Sequence, residues 1–196
     1  MSGNRIITFA GYKLCINDQV YEPSDDSKLI LDILNIGKNE VGIDVGTGTG
    51  ILGLHALSLG ASRIIFIDIN PFAVEATNCT LKINHKENYA DIINCDLLTC
   101  VRSRKIDFVI FNPPYLPFEE YESWIGYSWS GGKSGVDVIL RFLDQVNAKR
   151  VYLVYSSLSD EEKIERKLRE KQYMVTTEKD IVIGYEDIIA IEAVKK

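Results

Sequence analysis

The chain has 196 residues, 46% of them apolar, and a formal net charge of −6. The apolar share excludes a disordered chain, the length suits a single domain spanning 1–196 with a substantial core, and the acidic balance argues against a duplex-binding surface, which needs a basic footprint. No apolar run reaches membrane-spanning length, and Arg5 ahead of a short Ile6-Ile7-Thr8-Phe9 stretch makes a poor signal sequence, so a cytoplasmic protein is expected.

Residues 1–22 are expected to form an N-terminal extension, a hairpin from Arg5 to Val20 turning near Gly11. Pro23-Ser24-Asp25-Asp26 opens a helix whose apolar face is Leu29, Ile30, Ile33 and Leu34, closed by Gly37. Strands are predicted at Gly42–Gly46, Arg63–Ile69, Asp91–Cys95, Ile106–Phe111, Arg150–Ser156, Tyr173–Thr177 and Ile188–Val194, with helices between them. Ile51, Leu52, Leu54, Leu57 and Leu59 suit a buried helix ended by Gly60, and Asn70-Pro71 is an N-cap with proline at the first helical position. Val136, Ile139, Leu140 and Leu143 mark another helix, and Ser159-Asp160-Glu161-Glu162 reads as a capping box. This alternation predicts an α/β fold, a mainly parallel seven-stranded sheet covered by helices on both faces, plus the N-terminal hairpin.

Cys15, Cys79, Cys95 and Cys100 show no C-x-x-C spacing and only two histidines exist. Buried free thiols are therefore expected, with neither a zinc site nor a disulfide framework, and His55 and His85 read as structural. Arg102-Ser103-Arg104-Lys105 reads as a loop of exposed cations, and Lys163 to Lys171, alternating with Glu161, Glu162, Glu165 and Glu170, as a solvated helix face. The connection from Tyr115 to Lys133 holds Phe118, Tyr121, Trp124, Tyr127 and Trp129. A long connection of such aromatic density reads as a substrate-facing lid, although Trp129, flanked by small residues, equally suits packing onto the domain.

Asn112-Pro113-Pro114-Tyr115 follows the apolar strand 106–111 and carries its own chemical logic. A residue before proline is driven to extended geometry, and neither proline has a backbone N–H. The Asn112 side-chain oxygen and the Pro113 carbonyl can each accept from one N–H of a planar –NH2 group, while the Tyr115 ring covers a face of it. In isolation a proline-stiffened turn fits as well. Upstream, Val41 to Gly50 runs from a strand into a glycine-rich turn before a helix, an arrangement whose bare N–H groups bind a carboxylate or phosphate. Gly48-Thr49-Gly50-Ile51-Leu52-Gly53 also satisfies G-x-G-x-x-G, with Asp68 about twenty residues on where a ribose-binding carboxylate belongs. That loop alone is compatible with a nicotinamide enzyme and with an adenosylmethionine enzyme.

Asp44 to Gly50, Asp68 and Asn112 to Tyr115 resemble the motifs of class I S-adenosyl-L-methionine-dependent methyltransferases with an NPPY loop and a Rossmann-like fold. Val20-Tyr21-Glu22-Pro23-Ser24-Asp25-Asp26-Ser27 and Trp129-Ser130-Gly131-Gly132-Lys133-Ser134-Gly135 are similar to the short archaeal and eukaryotic branch of the HemK-like release-factor glutamine methyltransferases. The likeness runs from about Val20 to Leu143; Asp44 departs from the glutamate commoner in that branch. It implies a cofactor site in which Asp44 reaches the methionine ammonium, Gly46 and Gly48 line the carboxylate, Asp68 takes the ribose, Asp96 and Leu97 hold the adenine and Ser27 caps the pocket. Taken singly, each of those carboxylates also fits a solvated strand end or a helix cap.

The same resemblance implies that Asn112, Pro113, Pro114 and Tyr115 hold the substrate, with Asn112 at both sites. The implied reaction is N5-methylation of the glutamine in the Gly-Gly-Gln motif of a class-one translation release factor. A nucleic-acid methyltransferase acting on an exocyclic amino group is the alternative, ahead of a lysine methyltransferase or a non-catalytic cofactor-binding module. A small zinc-binding activator subunit over the edge carrying Ile92 and Ile93 is a further implied partner.

Overall fold

The computed structural model describes residues 5–102, 105–117, 119 and 122–196. Of the sequence features above, residues 1–4 of the N-terminal extension, Ser103, Arg104, Phe118 and Tyr121 lie outside the described residues. The chain opens with a hairpin, β1 (Arg5–Phe9) and β2 (Tyr12–Ile16), paired from Arg5↔Ile16 to Phe9↔Tyr12. Its two turn residues, Ala10 and Gly11, both have positive φ, at 48° and 84°, the geometry that matches strand twist in a two-residue hairpin.

Then follow α1 (Asp25–Ile33), β3 (Val41–Val45), α2 (Ile51–Leu59), β4 (Arg63–Asp68), α3 (Pro71–Ile83), β5 (Ala90–Asn94) and β6 (Phe108–Phe111). The remainder is α4 (Trp124–Tyr127), α5 (Asp137–Gln145), β7 (Arg150–Ser156), α6 (Glu161–Glu170), β8 (Tyr173–Ile183) and β9 (Glu186–Lys195). The seven-stranded sheet has the order β5-β4-β3-β6-β7-β9-β8, parallel except where β9 meets β7 and β8.

Alternate residues of the central strands serve two cores, because side chains switch face at each step along a strand. Val109 and Phe111 join Val151, Leu153, Phe142 of α5 and Ile164 of α6 on one face. Phe108 and Ile110 join Tyr152, Val154, Leu29 and Ile30 of α1, and Leu54 of α2 on the other. Gly42 of β3 leaves room for the Phe108 ring, which would lie 2.2 Å from any added Cβ.

Chain order across the sheet reverses between β3 and β6, and there the helices depart to opposite faces. A crevice forms outside the carboxyl ends of strands at such a switch point. Val45 pairs with Phe111, so the glycine loop after β3 and the NPPY loop after β6 leave the sheet side by side.

Three local expectations are corrected. Cys15 and Cys79 are joined by a disulfide between β2 and α3; they are not the free thiols expected, because tertiary packing brings together two cysteines 64 positions apart. Cys95 and Cys100 are free, but they are half-buried and exposed, respectively, rather than buried as expected. The cap of α6 is Asp160, whose side chain accepts from Lys163 N, while Ser159 Oγ turns away from the helix to donate to Tyr115 O at 3.0 Å. Finally, β8 runs six residues past its expected end at Thr177, to Ile183. It is an edge strand, so Glu178, Lys179 and Asp180 stay exposed within it and no apolar alternation marks it. Among the described residues no helix is long and apolar enough to cross a membrane.

Candidate active site

Two adjoining hollows open at the switch point. The larger, about 380 Å³, is lined by Gly46 to Thr49, Asp68, Asp96, Leu97 and Asn112, a size in the range of small-molecule sites. The smaller, about 230 Å³, is lined by Asp26, Pro113, Tyr115, Trp129, Glu186 and again Asn112. Asn112 therefore stands at the wall common to both.

The loop after β3 takes a path that requires its glycines. Gly46, Gly48 and Gly50 have φ of 60°, 56° and 84°, values that side chains disfavour. Asp44 holds this loop from beneath: its Oδ2 accepts from Thr47 Oγ1 at 2.8 Å and from Gly53 N at 2.9 Å. Its second oxygen, Oδ1, is buried without a partner, which leaves an acceptor for the expected cofactor contact. This side chain is fully buried and does not line the hollow, because Asp44 sits one residue inside the end of β3 and its carboxylate is drawn towards the start of α2. Burial pushes the Asp44 carboxyl up to about 7.

Asp68, at the end of β4, accepts from Gly48 N at 2.9 Å and from Asn70 N at 2.9 Å, and burial raises it to about 6. It lines the hollow, as do Ser27, Gly46 and Gly48. Asp96 also lines it and is paired with Arg141 of α5, a cation the sequence did not single out. Leu97 sits in a left-handed turn with φ of 50°, which presents backbone at the hollow's edge.

A buried carboxylate that sequence reading passed over, Asp26, organises the second hollow. Its Oδ2 accepts from Asn112 Nδ2 at 2.9 Å and Tyr115 Oη at 3.3 Å. Oδ1 accepts from Tyr21 Oη at 3.1 Å and Ser27 N at 2.6 Å. Burial, followed by the Asp26 charge, keeps both phenols protonated and donating. The detectable signal was an acidic residue just inside an apolar helix opening, although Asp25 beside it is exposed and sequence does not tell them apart. Gly131 and Gly135 pack on this loop from below: an added Cβ would meet Tyr115 C at 2.9 Å or Tyr115 O at 2.5 Å.

Part of the aromatic connection does wall the site. Trp124, Tyr127 and Ser128 line the first hollow, and Trp129 lines the second. Trp129 also meets Tyr21 edge to face, centroids 5.8 Å apart, so it both packs and lines.

Buried polar atoms are nearly always hydrogen-bonded. Among the described residues, three buried side-chain oxygens have no partner: Asp44 Oδ1, Thr49 Oγ1 and Asn112 Oδ1. All three lie at the glycine loop or the NPPY loop. Glycine cradle, acidic strand end and unpaired acceptors together fit a ligand that carries N–H and O–H donors, with a carboxylate for the loop amides.

The seven-stranded sheet with its one antiparallel strand, β9, beside this switch-point hollow has the class I methyltransferase fold. The chain belongs to the methyltransferase small domain family, whose model matches residues 22–124, and its methyl donor is accordingly S-adenosyl-L-methionine. It is 32% identical, over 96% of its length and 98% of the relative's, to a Methanocaldococcus jannaschii protein named as a candidate protein N5-glutamine methyltransferase. Human methyltransferase HEMK2 is 29% identical over 90% of each chain. Among solved structures, that of the E. cuniculi Mtq2–Trm112 complex, described as responsible for methylation of the eRF1 translation termination factor, matches with a TM-score of 0.73. It is 25% identical and the match covers 91% of this chain and 99% of that one.

Proposed function

We propose that the chain, acting as one domain over 1–196, methylates the side-chain nitrogen of the glutamine in the Gly-Gly-Gln motif of a class-one translation release factor. The names of the relatives support this substrate. The observation that carries it is the unpaired, buried Asn112 Oδ1, the acceptor that remains once Asn112 Nδ2 is spent on Asp26.

S-adenosyl-L-methionine supplies an electrophilic methyl group when bound. Gly46, Gly48 and their loop amides receive its carboxylate, Asp68 its ribose, Asp96 and Leu97 its adenine, and Ser27 closes the pocket near them. Asp44 acts from behind by fixing the loop. These assignments are supported by the lining residues of the larger hollow.

An amide nitrogen is a poor nucleophile because its lone pair is shared with the carbonyl. Asn112 Oδ1 and the Pro113 carbonyl accept its two N–H groups, which orients the nitrogen and stabilises the positive charge that grows on it during transfer. Pro114 stiffens the loop, and the Tyr115 ring covers the acceptor plane while its hydroxyl is tied to Asp26. The N–CH3 bond forms as the S–CH3 bond of the donor breaks, the demethylated thioether leaves, and the nitrogen releases one N–H proton to solvent, so no proton-transferring histidine or cysteine is needed. A nucleic-acid base offers the same –NH2 donor, yet the net charge of −6 and the two carboxylates in the acceptor hollow, Asp26 and Glu186, oppose a polyanion. A partner subunit is supported by the Mtq2–Trm112 complex of E. cuniculi and by β5, an edge strand bearing the partly buried Ile92 and Ile93; an uncovered edge invites such a partner, and the reading takes it to be a small zinc-binding activator.

The experiment is methyl transfer from labelled S-adenosyl-L-methionine to a recombinant archaeal or eukaryotic-type release factor, with and without the activator, and mass spectrometry to locate the methyl. Label on the glutamine, lost in Asn112→Ala, supports the assignment. Cofactor binding with label going only to RNA, DNA or lysine refutes it.

A further inference from the structure

The hairpin of β8 and β9 overhangs the sheet. Pairing of β9 with β7 stops at Ser156↔Ile188, whereas β8 and β9 continue to Ile183↔Glu186. Because β9 is antiparallel to β7, its first residues stand at the carboxyl end of the parallel strands, the rim on which Asn112 sits. The overhanging tip contributes Ile183, Glu186 and Ile188 to the smaller hollow, and Val182 and Tyr185 beside it are largely or fully exposed.

Among the described residues lining that hollow there is no lysine, arginine or histidine; its charged groups are Asp26 and Glu186. They differ in what they have left to offer. Asp26 is 4% exposed and saturated by Asn112, Tyr115, Tyr21 and Ser27. Glu186 is partly open, and its Oε2 accepts from Ser156 Oγ, which leaves Oε1 for a donor outside the protein. Apolar surface from Leu116, Trp129, Ile183 and Ile188 surrounds it, suited to the methylene stem of a long cationic side chain whose head seeks the carboxylate.

We propose that Glu186 is a specificity-determining residue for the acceptor: its carboxylate pairs with a lysine or arginine lying close to the target glutamine, and the groove between Asn112 and the β8–β9 tip holds that segment of the release factor. The assignment rests on the glutamine reading above. Continuity supports it, since Asn112 lines both hollows, and so does charge, since an acidic groove on an acidic chain attracts a basic loop and repels a phosphate backbone.

The test is steady-state methyl transfer to the release factor by the wild-type enzyme, Glu186→Gln, which keeps the shape and the Ser156 contact, and Ser156→Ala, which keeps the charge. Each enzyme is assayed against the native factor and against factors with each flanking lysine or arginine changed singly to glutamine. Glu186→Gln should raise KM for the factor about fivefold, the scale of one half-exposed charge pair, with kcat and cofactor Kd nearly unchanged. One factor variant should show the same rise with wild type and no further rise with Glu186→Gln, the coupling expected of a direct pair; Ser156→Ala should retain that dependence. Wild-type turnover with a KM indifferent to Glu186, or effects that multiply independently for every flanking cation, would overturn the Glu186 assignment and leave the glutamine reading intact. Methylation by the wild type of RNA and not of the factor would overturn both.

Discussion

Asn112 Nδ2 donates to Asp26 Oδ2 at 2.9 Å, linking residues 86 positions apart. A carboxylate only accepts, so the amide nitrogen must face it and the amide oxygen, buried and without a partner, is left to accept from a ligand. Asp26→Asn replaces that acceptor with a group able to donate, and lets the Asn112 amide turn over. The expected result is a fall in kcat of about a hundredfold, in keeping with loss of an oriented transition-state contact, while cofactor affinity measured by calorimetry changes little. An unaltered kcat would remove Asp26 from the positioning of Asn112.

Gly53 is the third glycine of G-x-G-x-x-G, and it is needed for packing. A Cβ there would lie 2.3 Å from Phe66 Cε1 and 3.0 Å from Asp44 Oδ2. Gly53→Ala should cost about 1–3 kcal/mol of stability, the usual effect of overpacking a core, read from denaturant midpoints. Because Gly53 N donates to Asp44, cofactor affinity should weaken with it.

Burial raises Asp44 to about 7 and Asp68 to about 6. Between the ordinary carboxylate value and these, the unfolded chain has released protons that the folded chain still holds. Stability therefore falls as pH rises across that window: the contribution of these groups is full below about pH 4 and gone above about pH 7. The thermal midpoint of the cofactor-free wild type, taken relative to that of Asp44→Asn, should fall as pH rises from about 4 to about 7. A difference independent of pH would mean that Asp44 ionises normally.

The Cys15–Cys79 disulfide ties β2 to α3 across 64 positions. Val20, Tyr21 and Pro23, which follow β2, line the larger hollow, so the staple steadies one wall of the site. Reduction should lower stability by about 2–4 kcal/mol, and a Cys15→Ser, Cys79→Ser double variant should melt with reduced wild type. Equal melting temperatures with and without a reductant would show that the bond contributes nothing.

Much of the fold is legible in the chain because its signals are local. Apolar alternation and runs mark the strands from β3 to β7, Asn70-Pro71 marks the start of α3 through the bond from Phe72 N to Asn70 Oδ1, and glycines mark the turns that need positive φ. Where local chemistry is ambiguous, reading fails in understandable ways. Ser159 and Asp160 are both good caps, and a carbonyl of the NPPY loop, far away in sequence, decides between them. The exposed edge strand β8 has no apolar rhythm to betray its length.

The sequence by itself determined the α/β alternation, the glycine loop, and the acceptor-only character of Asn112-Pro113, because backbone restriction by proline and glycine operates within a few residues. Only the tertiary structure decided which way the Asn112 amide points, that Asp26 and not Asp25 is the buried carboxylate, that Asp44 supports the loop from beneath, and that Glu186 looks into the acceptor groove. Each of these depends on which groups meet across the sheet's switch point once water has been removed. Hydrogen-bond partners there come from segments separated by tens of residues, and no local pattern encodes such a meeting.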